Sequence, residues 1–207
     1  AMRADHFGRD APPTVRDQLE IVNRFLAGFL LFNDAPTHTR LRNLIAKAFA
    51  PKVIDALRPF IHGIVEDRIE AALPLGQMEV IEQLARPLPS AVIARMLGIP
   101  GHDIHRFKGW TDDLFALVGS SVATAELVER GHRGVVGLKD YLCDASAERR
   151  SRSSDDLLSL LIHAEDQGQV LDDEEVVATC ALLLVAGYET TTNMIGNGLL
   201  ALLRHPD

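Results

Sequence analysis

A carboxylate and three hydroxyls stand close together near the end of the sequence, within a stretch that is otherwise apolar. Gly187 is followed by Glu189 and by residues 190–193, which are three threonines and an asparagine. A carboxyl group beside a hydroxyl can pass protons to a reacting group, which is the chemistry of general acid–base catalysis. We call residues 187–193 the polar notch and interpret it as the lining of a cavity, because packed apolar neighbours could not satisfy these groups.

The polar notch carries a cost in stability, and a purely structural interpretation of it also stays open. A glycine inside a helix lowers stability by roughly 1 kcal/mol relative to alanine, and a buried unpaired carboxylate lowers stability by more. In the structural interpretation, the threonine hydroxyls bond to backbone carbonyls one turn earlier and bend the helix. Glu189 then finds a basic partner elsewhere in the fold.

The element that must position the polar notch is a long helix over residues 171–204. Asp172 and Asp173 open it, and two glutamates lie in its first turn, where carboxylates meet free N–H groups and the positive end of the helix dipole. Between residues 176 and 185 only Thr179 is plainly polar. We therefore predict that this part of the helix is buried nearly all round.

A second set of candidate residues lies in the segment HTRLRNLIAKAFA, a predicted helix that Asp34 and Pro36 open and Pro51 ends. His38 and Arg42 are four residues apart and so share one helix face. We call them the cationic pair. Two donors on one face could hold a dianionic ligand group, whereas the structural alternative is a basic face that meets solvent or a carboxylate.

The rest of the chain shows helical periodicity with almost no alternating strand pattern, so the predicted fold class is mainly α. The first half is predicted to contain an irregular lead at 1–13, an amphipathic helix within residues 14–32 that passes into an apolar loop at 28–34, a helix over 52–73 that Pro59 kinks, and an extended segment and helix over 78–97. The second half is predicted to contain a helix over 102–118, a break at 119–124 and a helix over 125–149 that three glycines loosen. A loop tip at 149–156 with solvated arginines and a short helix that Ser154 or Asp155 caps follow.

Composition excludes several classes of function. The 207 residues are 47% hydrophobic and carry a net charge of −8, which favours a globular chain and argues against a general nucleic-acid binder. No signal pattern and no apolar run of membrane-spanning length occurs, so we expect a soluble cytoplasmic protein with no membrane partner. Cys143 and Cys180 show no CxxC spacing, and the His102–His105 group is typical of a solvated helix start. We therefore expect no metal site formed by these residues.

Two separated stretches together resemble one known family. NDAPTHTRLRNLIAKAFAP resembles the C helix of the bacterial-type cytochromes P450, the haem-thiolate monooxygenases, and LLLVAGYETTTNMIGNGLLALLRHPD resembles their I helix. DDLLSLLIHAED, GQVLDDEE and MEVIEQLARPLPSAVIARMLGIP are similar to the family in order and spacing. The resemblance implies a cytochrome P450-like helical core, a partial fold from the B region through the I helix, in one domain over residues 1–207.

The resemblance also implies a cofactor, partners and site residues. The cofactor is haem b, the substrate a small organic molecule that is hydroxylated with dioxygen, and the electron donor a redox partner of ferredoxin or flavoprotein type. The residues that match the family's functional positions are His38 and Arg42 for a haem propionate, Leu31 with Leu30 and Phe32 beside the porphyrin or substrate, Ala186 and Gly187 as small residues facing the haem, and Glu189 and Thr190 as the acid and alcohol of proton delivery.

The sequence departs from the family in its axial ligand. The family's glycine-rich cysteine loop and its Glu-x-x-Arg pair are not found in these residues, and neither Cys143 nor Cys180 lies in that context. We therefore expect a fragment or a truncated relative that forms no thiolate-ligated haem and is inactive alone. The alternative is a haem-free helical interaction or scaffold module derived from this fold; a ligand-responsive helical regulator is a weaker third option.

The same comparison predicts self-association. A long helix that is normally covered on both sides would expose apolar side chains from Leu182 to Leu203, and others around Leu30 and Phe32. We therefore expect a homo-oligomer.

Overall fold

Helices make up most of the computed structural model, which describes residues 12–152 and 154–205. The predicted mainly α class is therefore confirmed, whereas the irregular lead predicted for residues 1–13 lies almost wholly outside the described residues. The α-helices are α1 (Pro13–Ala27), α2 (Thr37–Ala48), α3 (Pro51–Asp55), α4 (Arg58–Ala72), α5 (Pro87–Leu97), α6 (Ile104–Val118), α7 (Ala125–Ser151), α8 (Leu157–Ile162) and α9 (Asp173–Arg204), with 3-10 turns at Leu30–Phe32, Leu73–Leu75 and Gly101–Asp103 and a π-helical segment at Ile81–Ala85.

Helix α9 is the central element. Its predicted end at Arg204 is confirmed, and it begins at Asp173, two residues after the predicted start at Leu171. Asp172 caps it, and the side chain of Glu175 bonds back to the backbone of Asp172 in a complete capping box. Its 32 residues span roughly 48 Å at 1.5 Å per residue. Residues 176–181, 184 and 185 are buried against the neighbouring helices α5, α7 and α8, as the apolar run predicts.

The three glycines of α7 tighten a helix contact rather than loosen the helix. Gly131, Gly134 and Gly137 lie along the face that packs on α6, and a Cβ atom on Gly134 would lie 2.5 Å from the backbone oxygen of Trp110. Small residues at this spacing let two helix backbones approach closely. The expectation that the glycines loosen α7 is therefore wrong. The sequence alone does not reveal that α6 packs into the space beside these glycines.

The helix predicted over residues 52–73 is two helices. Helix α3 ends at Asp55 and α4 begins at Arg58, with Pro59 in the first turn of α4. Proline is well placed there, because the first-turn N–H groups have no partner inside the helix. Pro59 thus starts a helix and does not kink one.

The loop tip predicted at residues 149–156 is wrong in two respects. Helix α7 runs on to Ser151, and the side chain of Arg149 is only 13% exposed because its Nε donates to Asp156 at 2.7 Å. Asp156, and not Ser154 or Asp155, caps α8 by accepting from the backbone N–H of Ser159. A buried ion pair thus replaces the expected solvated arginine.

A short antiparallel hairpin joins α8 to α9. Strand β1 (Glu165–Asp166) pairs with β2 (Gln169–Val170), with Glu165 opposite Val170. Gln167 and Gly168 form the turn with positive φ values of 53° and 80°. No helix among residues 12–152 and 154–205 is long and apolar enough to cross a membrane.

Candidate functional site

Two threonine hydroxyls of the polar notch bond to the backbone of α9. Thr190 Oγ1 donates to the carbonyl of Ala186, and Thr192 Oγ1 donates to the carbonyl of Tyr188 at 2.9 Å. The carbonyls on both sides of Gly187 therefore accept a side-chain hydroxyl, as the structural interpretation predicts. That interpretation explains only the hydroxyls, because Glu189 makes no ion pair with any described residue.

The polar notch has an open side and a buried side. Ala186, Glu189 and Thr190 are exposed, whereas Thr192 is 7% exposed. A Cβ on Gly187 would meet Ile93 Cδ1 at 3.7 Å, which is an ordinary contact. Packing among the described residues therefore does not require glycine at this position, although glycine weakens a helix.

The cationic pair lies on one flank of α2 and has no side-chain partner among the described residues. His38 is half-buried and Arg42 is exposed. Arg40 and Lys47, the other basic residues of α2, are both ion-paired, Arg40 with Glu175 and Lys47 with Asp166. Within residues 12–152 and 154–205, the donor groups of His38 and Arg42 are therefore available to bind an anionic group.

Leu31 lies in the turn that leads into α2. Its side chain is 72% exposed, and that of Phe32 is 46% exposed, while Phe29 between α1 and this turn is buried. Phe29 stacks on Phe32 with ring centroids 6.3 Å apart. Exposed apolar side chains here are able to contact an apolar ligand.

The structure groups the predicted residues into two surfaces. His38 and Arg42 share a flank of α2, and Ala186, Glu189 and Thr190 share the open side of α9. Within the part of the chain that is described, no hydrogen bond or ion pair joins one surface to the other. Arg40 and Glu175, which the sequence reasoning missed, are the direct link between α2 and α9.

Desolvation disfavours the thiolate form of both cysteines. Cys180 is fully buried in α9, and burial raises its pKa to about 12. Cys143 is exposed on α7, and partial desolvation raises its pKa as well. In residues 12–152 and 154–205 no group of three or more histidine, cysteine or acidic side chains could hold a metal ion.

Thiol labelling checks this assignment. We expect a thiol reagent to modify Cys143 in the folded protein, faster as pH rises because the thiolate is the nucleophile. Cys180 is expected to react only after unfolding, so a folded Cys143→Ser variant should take up no reagent. Equal labelling rates for the two thiols in the folded protein would contradict the burial of Cys180.

Haem provides a test of fit for these surfaces. It is an apolar disc with two carboxylates. The structure offers a cationic pair with no side-chain partner among residues 12–152 and 154–205, exposed apolar side chains at Leu31 and Phe32, and a helix face with Ala186 exposed. These residues fit its carboxylates and one face. Neither Cys143 nor Cys180 fits as its axial thiolate.

These features define a mainly helical protein whose long central helix carries the polar notch. Known proteins are similar to it in sequence and fold. A family model described as Cytochrome P450 matches residues 126–207. The polyketide biosynthesis cytochrome P450 PksS of Bacillus subtilis (strain 168) is 37% identical over 195 residues, which are 92% of this chain and 47% of that protein. Its solved structure has a TM-score of 0.80 at 35% identity and covers 90% of this chain and 46% of that one.

A second solved structure agrees. P450BioI, in complex with hexadec-9Z-enoic acid ligated acyl carrier protein, has a TM-score of 0.84 at 29% identity and covers 97% of this chain and 50% of that chain. The chain matches part of a bacterial cytochrome P450. It spans about half the length of the relatives that it matches. The family implies haem, and these comparisons do not favour the haem-free scaffold module.

Proposed function

We propose that the chain forms the distal part of a haem-thiolate monooxygenase, which hydroxylates a small organic substrate with dioxygen and takes electrons from a ferredoxin-type or flavoprotein-type redox partner. When bound, haem b supplies the oxygen-activating and oxygen-transferring chemistry. The cysteine thiolate that this chemistry needs has to come from residues other than Cys143 and Cys180. The chain alone is therefore expected not to hydroxylate.

The observation that carries the proposal is the unpartnered cationic pair on α2. Arg40 and Lys47 of the same helix are neutralised by carboxylates, whereas His38 and Arg42 have none among the described residues. Two donors on one helix face suit the carboxylates of a haem propionate edge. Leu31 lies before the same helix and would contact the apolar ring or the substrate.

The polar notch would deliver protons. The exposed carboxyl group of Glu189 is able to exchange protons with water, and the hydroxyl of Thr190 lies one residue further along the open side of α9. Because Thr190 donates its own hydrogen to the carbonyl of Ala186, its oxygen keeps lone pairs that accept a hydrogen bond from a proton-carrying water. Ala186 and Gly187 leave the backbone of this turn without bulky side chains.

Exposed apolar residues of α9 support the proposal of a homo-oligomer. Met194, Leu202 and Leu203 of α9 are 68%, 68% and 78% exposed. Apolar side chains this exposed favour association with a second surface.

Haemin titration tests the proposed cofactor site. We expect haemin to bind the chain, and a change in its Soret absorption measures this binding. The double variant His38→Gln/Arg42→Gln should weaken haemin binding by about tenfold or more, because each lost charge-assisted bond is worth about 1.5–3 kcal/mol. Arg24→Gln/Arg133→Gln, which removes two exposed arginines of α1 and α7, is the matched control and should leave affinity unchanged.

Two results of this titration would count against the proposal. The first is equal affinity of the wild-type chain and the cationic-pair variant, which would show that these residues do not hold the cofactor. The second is a red-shifted Soret band of thiolate ligation after reduction and addition of carbon monoxide, which would show that Cys143 or Cys180 serves as the axial ligand.

A further inference from the structure

One flank of α2 is held by two ion pairs. Arg40 Nη1 donates to Glu175 Oε2 at 3.2 Å, and Arg40 Nη2 bonds to the other carboxylate oxygen. At the penultimate residue of α2, Lys47 Nζ lies 2.8 Å from Asp166 Oδ1 and donates to the carbonyl of Glu165 at 2.6 Å. We call Arg40 and Lys47 the anchored flank. It fastens α2 to the hairpin and to the start of α9.

Glu175 has two functions at once. Its Oε2 accepts from the backbone N–H of Asp172 at 3.1 Å, and its own N–H donates to Asp172 Oδ1 at 2.8 Å, which completes the cap of α9. The same carboxylate binds Arg40, which also reaches the carbonyl of Val170 at 3.4 Å. The side chains of Arg40 and Glu175 are 29% and 19% exposed, so this pair is screened less than a surface pair.

The anchored flank and the cationic pair lie on opposite sides of α2. At about 100° per residue, Arg40 is about 200° from His38 and from Arg42, whereas Lys47 is only about 20° from Arg40. The buried face of α2, formed by Leu41, Leu44 and Ala48, lies between the two flanks. Holding the anchored flank therefore fixes the direction in which His38 and Arg42 project.

We propose that Arg40 and Glu175 are positioning residues for the cationic pair, because their ion pair sets the rotation of α2 about its axis against the start of α9. The proposal rests on the proposed function, since the direction of His38 and Arg42 matters only for a ligand that carries carboxylates. Arg40 does not touch that ligand. It acts through the helix that it shares with the cationic pair.

The test compares two metal-free porphyrins that share one ring. Protoporphyrin IX carries two carboxylates, and its dimethyl ester carries none, so the ratio of their dissociation constants measures the use of the carboxylates alone. We expect the wild-type chain to prefer the free acid by about tenfold or more. Arg40→Gln should reduce this ratio towards one while the affinity for the ester stays unchanged, and Arg40→Lys should restore part of it.

The matched control is Arg24→Gln, which removes an ion pair whose side chains are 73% and 70% exposed on α1. It should leave both affinities unchanged. A double-mutant cycle with Glu175→Gln separates the effect of the ion pair from that of the helix cap. In the Arg40→Gln background, Glu175→Gln should cause no further loss of preference for the free acid over the ester. Amide hydrogen exchange in α2 should accelerate in Arg40→Gln and not in Arg24→Gln.

The possible failures differ. A wild-type chain without preference for the free acid would overturn the proposed function, and the positioning proposal with it. A wild-type preference that Arg40→Gln leaves intact would overturn the positioning proposal alone. If Arg40→Gln weakens both porphyrins equally, Arg40 has only a general structural role, and the proposal is again overturned.

Discussion

Asp156→Ala is expected to lower the free energy of unfolding by about 3–5 kcal/mol, the usual cost of breaking a buried ion pair. Asp156 Oδ2 accepts from Arg149 Nε at 2.7 Å, and the two side chains are 8% and 13% exposed. Alanine would leave the largely buried Arg149 guanidinium with only the exposed carboxylate of Glu148, at 3.3 Å, as its counter-charge. It would also remove the cap of α8, because Asp156 Oδ1 accepts from the backbone N–H of Ser159 at 2.8 Å.

The position of this ion pair explains why so large an effect is expected. Arg149 Nη2 also donates to the carbonyl of Gly98 at 2.9 Å, so one guanidinium ties α7 to the end of α5 and to the start of α8. Gly98 has a φ of 68°, a value that favours glycine, and a Cβ there would collide with Asp156. Three elements therefore meet at one charged contact.

Urea denaturation measures the effect, and the chain offers a matched control. The pair of Arg133 and Glu129 lies on α7 as well, but its side chains are 58% and 59% exposed. Glu129→Ala should therefore change the free energy of unfolding by no more than about 0.5 kcal/mol. A loss below about 1 kcal/mol in Asp156→Ala would show that water screens the contact.

The contact between Arg149 and Asp156 could not be predicted from the sequence, whereas the bounds of a helix could. The bounds of α9 were predictable, because Asp172 and Glu175 form a local cap and an apolar run follows them directly. The burial of Arg149 was not, because its partners include Gly98, which is 51 positions away, and charge in a polar loop ordinarily indicates solvent. Local patterns determine caps and helix faces, whereas charge pairing depends on which helices meet.

The candidate site divides in the same way. The i, i+4 spacing alone places His38 and Arg42 on one face of α2, and the polar notch was visible as a break in an apolar run. The link between these two helices was not visible, since Arg40 and Glu175 are 135 residues apart. The motif HTRLR contains two arginines. Only the fold shows that Arg40 is paired and that Arg42 has no side-chain partner among the residues that the structure describes.

Gly134→Ala is expected to lower the free energy of unfolding by about 1–3 kcal/mol, although alanine is the better helix former. The added Cβ would lie 2.5 Å from the backbone oxygen of Trp110 and 3.4 Å from the backbone nitrogen of Leu114. A backbone atom cannot rotate away as a side chain can, so α6 and α7 must separate. That separation would also disturb the contact of Trp110 with Gly137.

Gly109→Ala is the matched control, because Gly109 lies in α6 of the same helix pair and its Cβ would meet nothing within 4 Å. The control should stabilise the protein by up to about 1 kcal/mol, so the two glycine substitutions are expected to have opposite signs. Urea denaturation followed by the fluorescence of Trp110, the one tryptophan of the chain, reports on this contact directly. If alanine stabilises at both positions, α6 and α7 do not approach closely at Gly134, and the glycines of α7 then have no packing function.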